Sequence, residues 1–309
     1  MTDHITYHQT FEAIGTHWSV SLLDHRLQSD HDLVMGRVID RIARFDADYS
    51  RFRSDSLISA IGKQAGSYQL PQDAQPMFDL YHQLYDITDG AMTPLIGDLL
   101  ADAGYDASYT LKPGRLRQVP TWQDSLEYDF PALKTYQPVT LDLGAIGKGY
   151  LIDLVSEIIE SHNIGRYVVD AGGDIRQRGL HDSYDRIGLE DPADPGQAVG
   201  IASIGDRSLC GSSGNRRSWG DGTATDGGGM HHIMDPHHRR PVRRIAGLWT
   251  VADDTMTADA MSTALFFVEP ETLRQHFEFE YLILYDGNTT SSGRPVSRSE
   301  HFPAELFTA

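Results

Sequence analysis

The sequence predicts an α+β fold, and three observations support this prediction. Strand patterns follow one another in pairs as well as alternating with helical patterns, which favours α+β over a doubly wound parallel sheet. The 29 glycines and 14 prolines among 309 residues indicate many turns and loops. Hydrophobic residues make up 40% of the chain and charged residues 23%, as in ordinary globular proteins, so disordered, collagen-like and coiled-coil classes are disfavoured.

Strands are predicted where apolar residues occupy every second position. Residues 17–23 follow this pattern, and residues 139–143 repeat it in the sequence Val-Thr-Leu-Asp-Leu. The pattern predicts further strands over residues 166–170, 198–204, 207–212, 248–252 and 279–285.

Helices are predicted where apolar residues recur every three or four positions. Residues 31–45 show this spacing, with Asp30 or Asp32 as the expected N-cap. Residues 74–87 show it again, up to a stop at Asp89-Gly90. Two more helices are predicted over about 149–162 and 257–268. Residues 101–137 are predicted as loop with short strands, and residues 213–244 as a loop-rich segment.

Charge and cysteine content narrow the function classes. Against 26 basic residues stand 44 acidic ones, a net charge of −18 that disfavours non-specific nucleic-acid binding. The single cysteine, Cys210, excludes an intrachain disulfide and a thiolate zinc cage, and we expect it to be a buried structural thiol. No signal peptide, lipobox or apolar run of membrane-spanning length is visible. We therefore expect a cytoplasmic protein, with a trimmed secreted form as the alternative.

Residues 141–150 read Leu-Asp-Leu-Gly-Ala-Ile-Gly-Lys-Gly-Tyr and lead from a predicted strand into a helix. Glycines let the backbone approach a ligand, a helix N-terminus offers free N–H groups to anions, and Lys148 adds a positive charge. This combination suits a phosphate or pyrophosphate, although it matches neither common phosphate-loop motif. The alternative is a tight turn with a surface lysine. The Ala-Gly-Gly-Asp stretch at 171–174 leaves the same choice between a binding loop and a structural turn.

Asp259 and Thr263 are four residues apart, which places them on one face of the predicted helix. A carboxylate and a hydroxyl oxygen are hard ligands that suit Mg²⁺. The alternative is structural: Asp259 caps the helix, and the threonine hydroxyl bonds back to a carbonyl one turn earlier.

Residues 231–240 contain four histidines, an aspartate and two arginines. His232 is a candidate general base near neutral pH, and the cluster as a whole is a weaker candidate for a zinc site. Arg239, Arg240, Arg243 and Arg244 form the one dense basic patch, which is either solvated surface or a contact for phosphates or an acidic partner. Residues 45–56 interleave aromatics with arginines, which favours either stacking of a planar ring or a helix end followed by a surface turn.

Taken in order along the chain, these motifs resemble the ApbE family of FAD:protein FMN transferases. The resemblance extends over about residues 11–286. The matching stretches are Ile14–Thr16, Asp48–Ser56, Gly90–Pro94, Leu141–Tyr150, Ala171–Asp174, Ser213–Asn215, His232–Pro236 and Ala258–Thr263.

The resemblance implies an ApbE-like, T-fold-related α+β fold of antiparallel sheets with flanking helices. It implies a single flavin transferase domain over 1–309, with FAD in a cleft between two lobes. The implied activity is Mg²⁺-dependent transfer of FMN from FAD to a threonine or serine hydroxyl of a target flavoprotein, through a phosphoester bond and with release of AMP. FAD and the acceptor flavoprotein are the expected partners, without nucleic acid or a membrane span.

The resemblance also assigns residues. The Ala145 carbonyl and the Asp259 and Thr263 side chains would hold Mg²⁺. His232 would deprotonate the acceptor hydroxyl, while Lys148 and Asp259 would complete the catalytic set. The FAD site would comprise Ile14, Gly15, Phe52, Ala91, Met92, Thr93, Asp142, Lys148, Gly172, Gly173, Asp174, Ser213, His232 and Ile233.

Three positions depart from the family pattern. Met92-Thr93-Pro94-Leu95 stands where the family has Phe-Asp-Pro-Thr, so a carboxylate is missing. Gly147-Lys148-Gly149 replaces Ala-Lys-Gly, and Asp170 replaces an asparagine. The alternatives to transfer are FAD pyrophosphatase activity that yields FMN and AMP, flavin binding without catalysis and, last, a zinc hydrolase.

Overall fold

The computed structural model describes residues 7–180, 186–215, 217–220, 229–286 and 295–307. Within these ranges the protein is α+β, with helices flanking antiparallel sheets. Part of the loop-rich segment 213–244, including Gly227 and Gly228, lies outside them. A search of the described residues finds no helix with the length and apolar character needed to cross a membrane.

The described α-helices and strands are as follows. The helices are α1 (Gln28–Tyr49), α2 (Leu57–Lys63), α3 (Gln75–Ile87), α4 (Gly97–Asp102), α5 (Trp122–Ser125), α6 (Gly147–Ser161), α7 (Thr255–Ala264) and α8 (Pro270–Leu273). The strands are β1 (Tyr7–Ala13), β2 (Thr16–Leu22), β3 (Gly66–Gln69), β4 (Leu126–Asp129), β5 (Ala132–Thr135), β6 (Tyr167–Ala171), β7 (Asp174–Arg178), β8 (Ile187–Asp191), β9 (Asp194–Ala202), β10 (Ser208–Ser213), β11 (Ser218–Trp219), β12 (Met230–His231), β13 (Met234–Asp235), β14 (Arg240–Pro241), β15 (Ile245–Ala252), β16 (Glu280–Tyr285), β17 (Val296–Arg298) and β18 (Ala304–Leu306).

The largest sheet positions the site. Its eight strands run in the order β1-β2-β6-β7-β10-β15-β16-β17, and each neighbouring pair is antiparallel. Helix α6 packs against α1 and α7, and α7 packs against β10 and β15. Apolar side chains from these elements form the main core, which runs in sequence from Trp18 to Ile283. The N-terminal end of α6 and the buried face of α7 are thereby fixed beside the central strands.

Most of the predicted strands and helices are confirmed, but the predicted N-cap of the first helix is not. The predicted strands at 17–23, 166–170, 198–204, 207–212, 248–252 and 279–285 are β2, β6, β9, β10, β15 and β16, and the predicted helices are α1, α3, α6 and α7. The prediction that Asp30 or Asp32 caps α1 is wrong. The helix begins earlier, Leu27 occupies the cap position without a side-chain hydrogen bond, and Asp30 lies in the first turn.

The predicted strand at 139–143 is also wrong. Its apolar residues Val139, Leu141 and Leu143 are buried in the main core, but the segment pairs with no strand of the described structure. Instead, the Asp142 N–H donates to the Pro94 carbonyl at 2.7 Å. The segment is extended and lies over the core without pairing to a strand. Because side chains alternate sides in any extended segment, its burial pattern has the same period of two as that of a strand.

Gly149 permits the close approach of α6 to α7, and replacing it tests that packing. A Cβ atom there would lie 2.3 Å from the Thr255 carbonyl oxygen and 2.6 Å from Asp259 Cβ. We expect Gly149→Ala to lower the free energy of unfolding by about 1–3 kcal/mol because the helices must separate. Urea denaturation would measure the loss. In the control, Gly36→Ala in α1, a Cβ has no neighbour within 4 Å. It should stabilise by up to about 1 kcal/mol, and equal effects would contradict this account.

Candidate active site

One cavity of about 1080 Å³ gathers the residues that the sequence predicted. All of the predicted metal, catalytic and FAD-site residues except Asp174 line it, although they come from segments throughout the chain. The predicted residues in the wall are Ile14, Gly15, Phe52, Ala91, Met92, Thr93, Asp142, Ala145, Lys148, Gly172, Gly173, Ser213, His232, Ile233, Asp259 and Thr263.

The predicted metal ligands belong to two elements that pack together, since Ala145 precedes α6 and α7 carries Asp259 and Thr263. Asp259 is only 4% exposed, and its Oδ2 accepts a hydrogen bond from the Gly149 N–H at 2.8 Å. That N–H would otherwise bond to the Ala145 carbonyl, to which no backbone N–H of the described residues donates. Burial raises the pKa of Asp259, an effect that the charge of Lys148 opposes. A nearly buried carboxylate beside an uncommitted carbonyl forms an oxygen-rich pocket suited to a divalent cation.

Asp174 supports Lys148 and does not line the cavity. Its side chain is 2% exposed, and Oδ2 forms an ion pair with Lys148 Nζ. Its Oδ1 accepts a hydrogen bond from the Gly211 N–H at 3.1 Å, which ties β7 to β10. Lys148 is 24% exposed and lines the cavity. The ion pair therefore holds the lysine ammonium at the cavity wall. Asp174, which was predicted to belong to the FAD site itself, lies behind Lys148 and supports it instead.

Two hairpin turns lie side by side at one edge of the cavity. Ile14-Gly15 joins β1 to β2 and Gly172-Gly173 joins β6 to β7, and all four residues have positive φ. This backbone conformation suits two-residue hairpins but is unusual for a β-branched residue such as Ile14. The Gly172 N–H donates to the His17 carbonyl, and a Cβ on Gly172 would lie 2.2 Å from Thr16 Oγ1. The structural turn predicted for the Gly-Gly-Asp motif is therefore confirmed, and because Gly172 and Gly173 also line the cavity, its role as a binding loop stays a prediction.

Asp142 is held by Arg51, which lies in the aromatic and arginine-rich segment 45–56 but was not predicted to pair with an acidic residue. Arg51 Nε forms an ion pair with Asp142 Oδ2, and the two side chains are 4% and 15% exposed. Burial alone would raise the pKa of Asp142, but the Arg51 guanidinium and the Gly144 N–H lower it below its ordinary value. The aspartate is therefore a fixed negative charge in the cavity wall.

Aromatic rings form another part of the wall. Phe52 stacks on Tyr109 at 5.3 Å with 13° between the planes, and it meets Tyr105 edge-on. The Arg51 guanidinium lies 4.2 Å from the Phe52 ring centroid. These contacts are within the protein, so the interpretation that residues 45–56 stack a planar ligand ring stays a prediction. Tyr105 and Tyr109 were missed because residues 101–137 have too weak a periodic pattern to place them.

The departure at Thr93 has a local structural role. The Thr93 hydroxyl oxygen accepts a hydrogen bond from the Leu95 N–H at 3.2 Å and so caps the short 3-10 helix Pro94–Ile96. Met92 is buried, and its N–H donates to Thr88 Oγ1 at 2.9 Å. The segment Ala91–Thr93 is thus rigidly built, and Thr93 presents no charge to the cavity.

The adjacent histidines His231 and His232 have different surroundings. His231 is buried, with Nε2 2.8 Å from the Val242 carbonyl and Nδ1 accepting from the Ile233 N–H. His232 lines the cavity, and its Nδ1 is buried without a hydrogen-bond partner among the described residues. Burial lowers the pKa of His231 to about 4 and that of His232 to about 3, and Arg217 adds to the second effect.

The zinc reading of the histidine cluster finds no support in the geometry. His237 and His238 are exposed, and His238 pairs with Asp235. Over the described ranges, no three His, Cys, Asp or Glu side chains come together as a metal site. The neighbouring basic patch is partly neutralised, since Arg244 forms an ion pair with Glu269 at 2.8 Å. Cys210 is buried, as expected.

Comparison with known proteins gives independent evidence for the family of this chain. Residues 14–282 match the sequence profile of the ApbE family. A FAD:protein FMN transferase of Vibrio cholerae is 25% identical over 277 residues, covering 85% of this chain and 82% of the relative. A FAD:protein FMN transferase of Treponema pallidum is 27% identical over 280 residues, covering 82% of this chain and 76% of the relative.

Solved structures share the fold. The ApbE protein of Thermotoga maritima superposes with a TM-score of 0.80 at 22% identity, over 96% of this chain and 97% of that one. The flavin transferase ApbE of Vibrio cholerae gives a TM-score of 0.78 at 21% identity, over the same shares. With most of its length matched by the profile and the fold shared over nearly all of it, the chain belongs to the ApbE family.

Proposed function

We propose that this protein cleaves the pyrophosphate of FAD and transfers FMN to a threonine or serine hydroxyl of a target flavoprotein, releasing AMP. The observation that carries the proposal is the convergence of three kinds of group on one cavity: oxygen ligands at Ala145, Asp259 and Thr263, the Lys148 ammonium, and the His232 imidazole. The curated relatives named FAD:protein FMN transferase support the same activity.

The cavity suits a dinucleotide in size and lining. Its volume of about 1080 Å³ slightly exceeds the range of ordinary small-molecule pockets, roughly 300–1,000 Å³. Phe52 and its aromatic neighbours offer a wall for a planar ring, and the paired turns at Ile14-Gly15 and Gly172-Gly173 bring backbone close to a ligand. Lys148 supplies positive charge for phosphate oxygens in a protein whose net charge is −18.

The residues at the start of α6 and on α7 fit Mg²⁺. The Asp259 carboxylate, the Thr263 hydroxyl and the uncommitted Ala145 carbonyl are hard oxygen donors from residues that line the cavity. When bound, Mg²⁺ supplies neutralisation of the charge that develops on the phosphate oxygens and on departing AMP. Asp259 stays oriented for this role by the Gly149 N–H.

His232 would act as the general base. The acceptor hydroxyl oxygen attacks the FMN-side phosphorus, and its proton passes to the imidazole. The bond from that phosphorus to the bridging oxygen breaks, and AMP departs with that oxygen. Lys148, held by Asp174, keeps its ammonium beside the phosphates throughout. Replacing His232 with alanine should reduce transfer by about 10²–10⁴-fold, the usual contribution of a positioned base.

The pH dependence tests this role of His232. Because burial lowers the pKa of His232 to about 3 in the free protein, the imidazole is already neutral throughout the neutral range. We expect the acidic limb of kcat/KM, which reports the free enzyme, to lie well below pH 6.5. Bound diphosphate adds negative charge that favours the imidazolium, so the limb of kcat should lie at higher pH. Identical limbs in wild type and His232→Ala would exclude the assignment.

Incubation with FAD, in Mg²⁺ or in EDTA, tests the activity directly. Chromatography would follow AMP and FMN, and in-gel flavin fluorescence would follow FMN covalently attached to proteins of an added cell extract. We expect Mg²⁺-dependent AMP release with labelled protein bands. Full-rate AMP release without any acceptor would favour FAD pyrophosphatase activity instead. Tight retention of intact FAD in Mg²⁺, with extract present, would favour flavin binding without catalysis.

Three further expectations belong to this proposal. We infer one flavin transferase domain over residues 1–309, whose two lobes enclose the FAD cleft, and limited proteolysis would test it by yielding no stable half. The target flavoprotein contributes the threonine or serine, and mass spectrometry of labelled bands would locate it. A cytoplasmic location stays a prediction for cell fractionation.

A further inference from the structure

Five cationic side chains, apart from histidines, line the cavity within the described residues, and they differ in their pairing. Lys148, Arg51 and Arg53 each form an ion pair with an aspartate. Arg186 and Arg217 have no carboxylate partner among the described side chains. An unpaired guanidinium that faces a cavity in a strongly acidic protein has its full charge available for an anionic ligand.

Arg217 is held over the cavity by a tyrosine from a distant part of the chain. Its Nη1 donates to Tyr105 Oη at 2.6 Å, and its guanidinium carbon lies 5.7 Å from the centroid of the same ring. Tyr105 is fixed in turn, because its carbonyl accepts from Arg51 Nη1 at 2.9 Å and its ring stacks on Trp219. An exposed arginine is ordinarily a solvated, mobile side chain, but this one is pre-oriented.

The charge of Arg217 reaches the groups that the proposed reaction uses. It helps to lower the pKa of Asp142 and of His232, and it opposes the rise in the pKa of Asp259. All three of those residues line the same cavity. The guanidinium therefore shares one cavity with the candidate metal ligand, the fixed aspartate and the candidate base, which is where the proposed function places the diphosphate of the substrate.

We propose that Arg217 binds non-bridging phosphate oxygens of the substrate's diphosphate and that Tyr105 is the residue that positions it. This inference rests on the proposed function for the identity of the substrate. The planar guanidinium presents parallel N–H groups that match two phosphate oxygens. Its hydrogen bond to the neutral Tyr105 hydroxyl leaves the other N–H donors for the ligand.

Binding measurements with parts of the substrate test the contact without requiring turnover. Calorimetry would compare wild type, Arg217→Gln and Arg217→Lys with ADP, FMN and riboflavin, in the presence of MgCl₂. We expect Arg217→Gln to weaken ADP or FMN binding about 10–100-fold, in the range of hydrogen bonds to charged groups, and to leave riboflavin binding unchanged. Arg217→Lys should weaken ADP or FMN binding less than Arg217→Gln does, because the lysine keeps the positive charge. A loss with FMN alone assigns the flavin-side phosphate, and a loss with ADP alone assigns the adenosine side.

Two controls isolate the effect. Arg298→Gln removes an exposed arginine outside the cavity and should leave all three ligands unaffected. Tyr105→Phe should weaken the phosphate ligands by itself but have no further effect in an Arg217→Gln background, because its role acts through the arginine. Equal binding of ADP and FMN by wild type and Arg217→Gln would overturn the inference, as would an equal loss of riboflavin.

The two proposals fail in different ways. If wild type binds ADP or FMN through Arg217 but never releases AMP from FAD, the proposed function fails and the contact stands. If wild type cleaves FAD and Arg217→Gln cleaves it with unchanged KM and kcat, the contact fails and the function stands. If wild type binds none of the three ligands, both are overturned.

Discussion

Replacing Asp259 with asparagine is expected to abolish Mg²⁺-dependent cleavage of FAD, by about 10³-fold or more, while the protein remains folded. The amide oxygen of asparagine can still accept the Gly149 N–H hydrogen bond that now ends on Asp259 Oδ2. The negative charge is lost, however, and with it most of the attraction for a divalent cation. Chromatographic assay of AMP release, with circular dichroism as the folding check, measures both parts of the prediction.

The matched control is Glu271→Gln, which neutralises an exposed carboxylate on α8 outside the cavity. It should leave AMP release unchanged. The titration of activity with MgCl₂ gives a second readout, since residual activity in Asp259→Asn should require far more metal. Normal activity of Asp259→Asn at ordinary Mg²⁺ concentrations would refute the metal assignment.

The second large effect concerns stability, and it comes from the buried pair Arg51 and Asp142. Arg51→Met should lower the free energy of unfolding by about 3–5 kcal/mol, because Asp142 would remain buried without its cation. The control is Arg53→Met, two residues away. Arg53 is 41% exposed and its ion pairs lie at the surface, where solvent screens them, so its loss should cost far less stability than the loss of Arg51. Urea denaturation of both variants measures the difference.

The same pair predicts a dependence on pH. Since the folded-state pKa of Asp142 lies below its unfolded value, the pair contributes its stability above the unfolded pKa, and that stability is lost as pH falls through the folded value. Arg51→Met should therefore lose stability at neutral pH and show a shallower decline into acid. Equal losses for Arg51→Met and Arg53→Met would show that Asp142 does not depend on the buried pair.

Local sequence patterns predicted most elements of the fold. The helices α3 and α6 and the strands β2, β6 and β10 have apolar spacings that match their own period, so each could be placed from its own residues. The segment 139–143 shows the limit of the method. Its alternation reports burial, whereas strand pairing depends on a neighbour elsewhere in the chain, and here Pro94 is that neighbour.

The residues of the candidate site also fall into two groups, those predictable from local sequence and those that depend on distant partners. The motifs around Lys148, Gly172, His232 and Asp259 were visible because each concentrates glycines or chemical groups in a few residues, and their order along the chain identified the family. The roles of Arg51 and Tyr105 were not predicted because each depends on a partner far away in sequence. Arg51 pairs with Asp142, and Tyr105 accepts a hydrogen bond from Arg217.

The sequence by itself determined the fold class, the family and the chemical types of the site residues, because periodicity and local motifs are properties of neighbouring residues. Only the tertiary structure decided which charges pair. It paired Asp174 with Lys148 and Arg51 with Asp142, and it left Arg217 without a carboxylate partner within the described part of the chain. The pairing of charged side chains depends on distances between segments that can be about a hundred residues apart in sequence, and no local pattern encodes such distances.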